Sequence, residues 1–386
     1  MRYMTILWIY NMPLEPEAGG TERITSLVAK GLSERGHKCL DILVLTEDGS
    51  MTYKGNPLSD LYMFLKEKEV DVVINQIAYA KWLLSEFLSR GGARWHAEGG
   101  RIISCLHFDP CNPSYIHLLR SYEHLSLKQY VSLIRQYMLK PYYRNKQQQS
   151  EGEIYNYIYE NSDMMISLSE THFPYLKKVM QRNEYMKLHA IGNMLTFPYV
   201  AETEILKTKS KTVMVCARMS EYHKRITLIL KAWELVKRCP IAGDWVLKII
   251  GDGHDLPRYK RMVMKRGIVD IEFLGQQSPK SFYENGAILL MASSAEGWGL
   301  AITEGLQNGV VPVVMDSSPV YSDIIQNGYN GILTPDNDVK AFAKAVIWLI
   351  SDDEQRRKMQ INALESAMRF TSEKTIEKWS EALSLL

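Results

Sequence analysis

The stretch Ile288-Leu289-Leu290-Met291-Ala292-Ser293-Ser294-Ala295-Glu296-Gly297-Trp298-Gly299-Leu300-Ala301-Ile302-Thr303-Glu304-Gly305 decides the fold. Its opening apolar run reads as a short buried strand. A Gly-Trp-Gly turn follows, and then an apolar helical run. In a strand, glycine loop and helix of this kind, the first N–H groups of the helix have no intrahelical partner, and its dipole favours an anion. Glu296 stands in the loop mouth, where a carboxylate accepts hydrogen bonds from a hydroxylated ligand. Glu304 lies eight positions on, within the helix, and is expected to project toward the same crevice. Acceptors for hydroxyls flanking donors for phosphates suit a nucleotide sugar.

Outward from this unit, the same alternation of short apolar runs and helical patterns fills the chain. In the first half the predicted strands are Thr5–Tyr10, Lys38–Leu45, Val70–Asn75, Arg101–Leu106, Met164–Ser167 and Leu188–Ile191. Thr21–Arg35 carries apolar residues at Ile24, Leu27, Val28 and Leu32, a helical spacing that ends at Gly36. The polar stretch Phe197–Lys211 reads as a linker. The pattern then restarts with strand Thr212–Ala217, helix Ile226–Arg238, strand Trp245–Ile250, helix His254–Arg266 and strand Ile271–Leu274, and continues past the quoted unit to strand Val310–Met315. Repeated β-α alternation predicts parallel, doubly wound sheets. A chain of 386 residues exceeds what one core usually serves, so two domains are expected.

Composition narrows the class. A hydrophobic content of 46% with 23% charged residues is that of a globular protein, and a net charge of +2 argues against a general nucleic-acid binder. Met4–Tyr10 is apolar but far shorter than the ~20 residues that cross a bilayer, and is read as a first strand rather than a signal peptide. The five cysteines (Cys39, Cys105, Cys111, Cys216, Cys239) show no CxxC spacing, which indicates neither a zinc site nor a disulfide framework and points to the cytoplasm.

Glu-x7-Glu enclosing Gly-aromatic-Gly-Leu is similar to the signature of the retaining glycosyltransferases of family 4, which have the GT-B fold. Other pieces follow in the order of that family: Ala18-Gly19-Gly20-Thr21-Glu22-Arg23, His107 in Cys105-Leu106-His107-Phe108-Asp109, Ser167-Leu168-Ser169-Glu170, Ile191-Gly192-Asn193, Ala217-Arg218-Met219 with Lys224, Ile250-Gly251-Asp252-Gly253, and Phe273-Leu274-Gly275. The resemblance covers nearly the whole chain. It implies an α/β protein of two Rossmann-like doubly wound domains facing a cleft, with residues 1–196 on the acceptor side and 197–370 binding the donor. A last helix, 371–386, is expected to pack back on the first domain.

The same resemblance assigns roles. Arg218 and Lys224 would stabilise the leaving nucleoside diphosphate. Glu296 would contact the donor hexose and Glu304 the ribose hydroxyls. Gly297, Gly299 and Leu300 form the loop and helix start, and Trp298 packs the loop where the family often has Phe. Arg225 stands where the family often has Gly, which leaves open which of the two adjacent cations acts. His107 would lie near the donor sugar and acceptor. Gly19, Gly20 and Glu22 would form a loop beside the donor phosphates; the alternative is a tight turn with a helix-start Glu. This loop is not Gly-x-Gly-x-x-Gly, which argues against a dinucleotide cofactor. Gly251, Gly253, Gly275 and Gln276 complete the expected donor site. No carboxylate is identifiable as a nucleophile.

Asp336-Asn337-Asp338 matches the DxD pattern of metal-dependent transferases, but it precedes an apolar helical run and is read as a helix cap. No metal and no cofactor are therefore expected. Residues 115–149 carry six Lys/Arg (Arg120, Lys128, Arg135, Lys140, Arg144, Lys146) against Glu123, interleaved with Tyr115, Tyr122, Tyr130, Tyr137, Tyr142 and Tyr143. This segment reads either as a helical insertion packed on its own domain or as a patch for a lipid-linked acceptor or the inner face of the cytoplasmic membrane. The expected partners are a nucleotide-sugar donor and a glycan or lipid-linked acceptor of cell-surface polysaccharide assembly. A nucleotide-sugar epimerase and a GT-B binding protein without catalysis are the rival readings.

Overall fold

A computed structural model describes residues 3–16, 19–111 and 126–386. Arg120, Tyr115, Tyr122 and Glu123 of the basic segment lie outside the described residues, as do Ala18 of the glycine motif and the side chains of Lys140 and Tyr143. The chain divides into two compact units: Met1–Pro110, Asn145–Thr196 and Phe370–Leu386 form the first, and Cys111–Arg144 and Phe197–Arg369 the second.

The sheet of the first unit comprises β1 (Thr5–Tyr10), β2 (Lys38–Cys39), β3 (Leu43–Leu45), β4 (Met51–Tyr53), β5 (Asn56–Pro57), β6 (Val72–Asn75), β7 (Arg101–Leu106), β8 (Met164–Ser167) and β9 (Leu188–Ala190). The order is β5-β4-β3-β1-β6-β7-β8-β9, with β2 also paired to β1. Pairing is parallel throughout except for β3–β4 and β4–β5. The expected single strand Lys38–Leu45 is broken: Leu40, Asp41 and Ile42 interrupt it, and the chain resumes beside β1 four residues further along. Helix Gly20–Glu34 covers the sheet with Ile24, Val28 and Leu32 inward. Against its outer side lies helix Ser372–Ser384. Gly31 permits this approach, since a Cβ there would stand 2.5 Å from the Ile376 side chain. Arg35 also donates to Ser380 Oγ at 3.2 Å.

The second unit holds β10 (Thr212–Cys216), β11 (Val246–Ile250), β12 (Ile271–Gly275), β13 (Ile288–Met291), β14 (Val311–Asp316) and β15 (Ile332–Pro335), all parallel. The order β12-β11-β10-β13-β14-β15 reverses direction between β10 and β13. In an open α/β sheet that reversal opens a crevice at the carboxyl ends of the two strands, where ligands bind. In the first unit the corresponding point lies between β1 and β6.

The polar stretch after Thr196 is no loose linker. Gln307, fully buried on helix Leu300–Gln307, donates from Nε2 to the carbonyls of Phe197 (2.7 Å) and Tyr199 (2.8 Å). Its own carbonyl accepts from the N–H of Ala201 at 2.9 Å. Leu206 is buried, and the Phe197 ring meets Tyr283 edge-on.

Candidate active site

In the second unit the expected residues gather at the β10/β13 crevice. Arg218 follows β10, and Lys224 ends the short helix Glu221–Lys224. After β13, Ser294 ties the two loops together: its N–H donates to the carbonyl of His223 at 2.7 Å, and its hydroxyl donates to that of Tyr222 at 3.0 Å. Lys224 Nζ is ion-paired with the Glu296 carboxylate. Burial lowers the pKa of the His223 imidazole, the Lys224 charge lowers it further, Glu296 opposes this and Arg218 adds to it. The His223 ring therefore feels all three charges. His223 was not singled out from the sequence, because nothing marks a lone His beside a Lys as a site residue.

Which of the adjacent cations faces the crevice follows from burial. Arg225 is fully buried. It donates to the carbonyls of Ala292 (2.5 Å) and Ser293 (2.8 Å), to Asp336 Oδ1 (2.7 Å) and to Asn337 Oδ1 (3.2 Å). Its φ of 46° lies in the left-handed region that favours glycine, the residue the resembling family often has there. Arg225 is thus a clamp between loops, and Lys224 is the cation left at the site. The Asp336-Asn337-Asp338 run divides its work. Asp338 caps helix Val339–Ser351, accepting from the N–H groups of Lys340 and Ala341 at 3.0 and 2.9 Å. Asp336, expected to share in that cap, instead holds Arg225. Among the described residues no group of three or more His, Cys, Asp or Glu side chains could hold a metal ion.

The glycines have separable reasons. Gly299 is the N-cap residue of helix Leu300–Gln307 and has a φ of +94°. Gly251 and Gly253 make room for the Arg218 loop: a Cβ on Gly251 would lie 2.0 Å from the carbonyl oxygen of Ala217, and one on Gly253 2.6 Å from that of Met219. Their visible work is close backbone approach. Trp298 is buried beneath the Glu296 loop, and the Ser318 hydroxyl donates to the Glu296 carbonyl at 3.2 Å. Gln276 is exposed just beyond Gly275. Glu304 is buried. Its neighbour is the Tyr283 phenol, whose pKa is pushed well up by burial and then by Cys216 and Glu304. Tyr283 escaped sequence reading because an isolated Tyr in a short helix carries no pattern.

In the first unit, His107 follows β7 and Gln76 follows β6. His107 Nε2 and Gln76 Oε1 are 2.5 Å apart, and Thr25 Oγ1 is 3.2 Å from the same oxygen. Burial lowers the His107 pKa to about 4, so the ring is neutral near pH 7. His107 and Gln76 line a largely apolar pocket with Trp8, Thr25, Asn193 and Trp379. The Glu22 carboxylate folds back over Gly19, where a Cβ would stand 2.3 Å from Oε2, and it accepts from the Tyr10 hydroxyl at 3.3 Å. Gly19 and Glu22 thus sit together at the start of helix Gly20–Glu34.

Residues 201–366 match the family described as Glycosyl transferases group 1. An uncharacterized glycosyltransferase of Haemophilus influenzae is 25% identical over 224 residues, 57% of this chain and 61% of that protein. The poly(glycerol-phosphate) alpha-glucosyltransferase of Bacillus subtilis is 25% identical over 237 residues, 60% of this chain and 34% of that protein. The chain thus spans less than two thirds of the length of either relative. Anabaena Alr3699/HepE, solved in complex with UDP and glucose, superposes with a TM-score of 0.69 at 16% identity over 100% of both chains. The fold is therefore GT-B, and the family match and the relatives support a glycosyltransferase.

Proposed function

We propose that this protein is a retaining glycosyltransferase that moves a hexose from a nucleoside-diphosphate donor to a glycan or lipid-linked acceptor of the cell surface, at the cytoplasmic side and without metal. The observation that carries the reading is the pairing of Lys224 with Glu296 beside Arg218, at the point where the second sheet reverses its strand order. A departing nucleoside diphosphate gains negative charge as the glycosidic bond breaks. Arg218 and Lys224 are the preorganised cations that would meet it. Glu296, relieved of Lys224 by the phosphates, would accept hydrogen bonds from the hexose hydroxyls, and Glu304 would accept them from the ribose. His107, neutral, is the residue of the first unit proposed to serve the sugar and acceptor. With no carboxylate nucleophile assigned, transfer would proceed on one face, with the leaving phosphate taking the acceptor proton.

The Bacillus relative, an alpha-glucosyltransferase acting on poly(glycerol-phosphate), supports a hexose donor and a cell-surface acceptor. Metal independence rests on what the cations and the aspartates do. Arg218 and Lys224 supply the positive charge, while Asp336 and Asp338 are engaged by Arg225 and a helix start. The test is a panel of UDP-, GDP- and ADP-sugars assayed for nucleotide release and glycosylated product in excess EDTA. Full activity under chelation supports the reading. Loss of transfer that magnesium or manganese restores overturns the metal-free mechanism, and isomerised sugar released with no acceptor present overturns the transferase.

A further inference from the structure

Helix Leu127–Met138 carries an apolar stripe that the protein leaves in water. Leu127, Tyr130, Val131, Ile134, Tyr137 and Met138 are between 50% and 83% exposed. At about 100° per residue these six positions fall within an arc of roughly 120°, the width of a face that ordinarily packs on a core. Single exposed apolar residues are unremarkable; six on one face of one helix mark a contact surface.

The charges beside the stripe identify what it meets. On the same wheel Lys128 and Arg135 lie together along one edge of the apolar arc, and both are exposed. Arg144 and Lys146 extend the exposed basic character into helix Lys140–Glu160. No acidic residue occurs from Ser126 to Ser150. An apolar face edged by cations, with aromatic side chains among the apolar ones, matches a bilayer interface. There the stripe enters the acyl boundary and the cations meet anionic headgroups. A second copy of this chain is a poor occupant, since stacking the stripe on itself brings like charges together with no acid to offset them.

We propose that helix Leu127–Met138 docks the protein on an anionic lipid surface, lying in the plane of the interface with Lys128 and Arg135 at headgroup level. The proposal rests on the glycosyl-transfer reading only for its purpose, which is to bring the enzyme to a lipid-linked acceptor. Among the described residues no helix is long and apolar enough to cross a membrane, so this contact is lateral.

The test is sedimentation of the full chain with phosphatidylglycerol-containing vesicles and with pure phosphatidylcholine vesicles, at low and high salt. Wild type should bind the anionic vesicles and release them as salt rises. K128Q/R135Q should bind them about tenfold more weakly or worse, and I134S/Y137S should lose binding even at low salt. Affinity for nucleoside diphosphates should stay at the wild-type value in both variants, which also shows that they fold. No wild-type binding, equal binding to neutral vesicles, or full binding by I134S/Y137S overturns the proposal. A concentration-dependent dimer that I134S/Y137S dissolves, without vesicle binding, overturns it in favour of self-association. Vesicle binding by a chain that transfers no sugar would sink the glycosyl-transfer reading and leave the docking intact.

Discussion

Lys224 and Glu296 neutralise each other across two loops that leave neighbouring strands, β10 and β13. Each side chain is partly open to solvent, 26% for Lys224 and 16% for Glu296, so an incoming diphosphate can compete for the ammonium group. Binding of donor would then exchange one ion pair for another, freeing the carboxylate when a sugar arrives beside it.

Variants at this pair should separate phosphate from sugar recognition. Lys224→Ala and Arg218→Ala should each weaken nucleoside-diphosphate binding and lower turnover by about 100-fold or more, as loss of a preorganised group facing developing charge does. Glu296→Gln should lower turnover while leaving affinity for the sugar-free nucleoside diphosphate near the wild-type value. Calorimetry with nucleotide alone, set against turnover with the full donor, reads the difference. Equal losses in both measurements for Glu296→Gln would remove the sugar contact from Glu296.

Glu304 is buried beside the Tyr283 phenol, a setting in which a carboxylate is held in one orientation. Glu304→Gln should weaken donor binding by ~10-fold or more, since a hydrogen bond to a charged group contributes about 1.5–3 kcal/mol. A deoxyribose donor should show the same loss against wild type and little further loss against the variant. Wild-type affinity in Glu304→Gln would end the ribose assignment.

Arg225 tests the clamp apart from catalysis. Arg225→Ala removes a buried cation from Asp336 and two carbonyls and should cost about 3–5 kcal/mol in denaturant unfolding of this unit. Arg225→Gly loses the same bonds but relieves a left-handed backbone, so it should be more stable than the Ala variant by about 1 kcal/mol. A Gly variant no more stable than the Ala variant would deny that the backbone is strained.

Acid should loosen the first unit before carboxylates titrate. His172 is fully buried with Nδ1 2.8 Å from Ser167 Oγ, and burial lowers its pKa to about 4, as it does for His107. Both groups bind protons more readily unfolded than folded. Their contribution is therefore complete above about pH 6.5 and is lost as pH falls toward 4, at up to ~1.4 kcal/mol per pH unit for each group. Urea midpoints between pH 7.5 and 4.5 should fall, and His172→Asn should flatten the slope. A variant with the wild-type slope would exclude His172 as a source.

Much of the fold was legible because buried parallel strands advertise themselves. Thr5–Tyr10, Arg101–Leu106 and Met164–Ser167 are short, mostly apolar runs, and the strands occupy those residues. The hairpin Met51–Tyr53 with Asn56–Pro57 was missed, since the strands flanking Lys54-Gly55 are too short to show an alternating pattern. In the site, spacing indicated Glu296 and Glu304 but could not separate Lys224 from Arg225. Only the tertiary fold puts carbonyls of Ala292 and Ser293 around one of them. Gln76, Gln307, His223 and Tyr283 were invisible for the same reason: each takes its meaning from a partner on a distant element.

The packing of Ser372–Ser384 against helix Gly20–Glu34 has a practical corollary for building chimeras. Helix Ser372–Ser384 belongs to the first unit although it follows the second in sequence, so a recombinant exchange with a single crossover at Thr196 would strip the first unit of its outer helix. The second unit, with the proposed donor site, should be transplanted as an insert, with one junction before Phe197, so that the strap held by Gln307 travels along, and the other near Phe370.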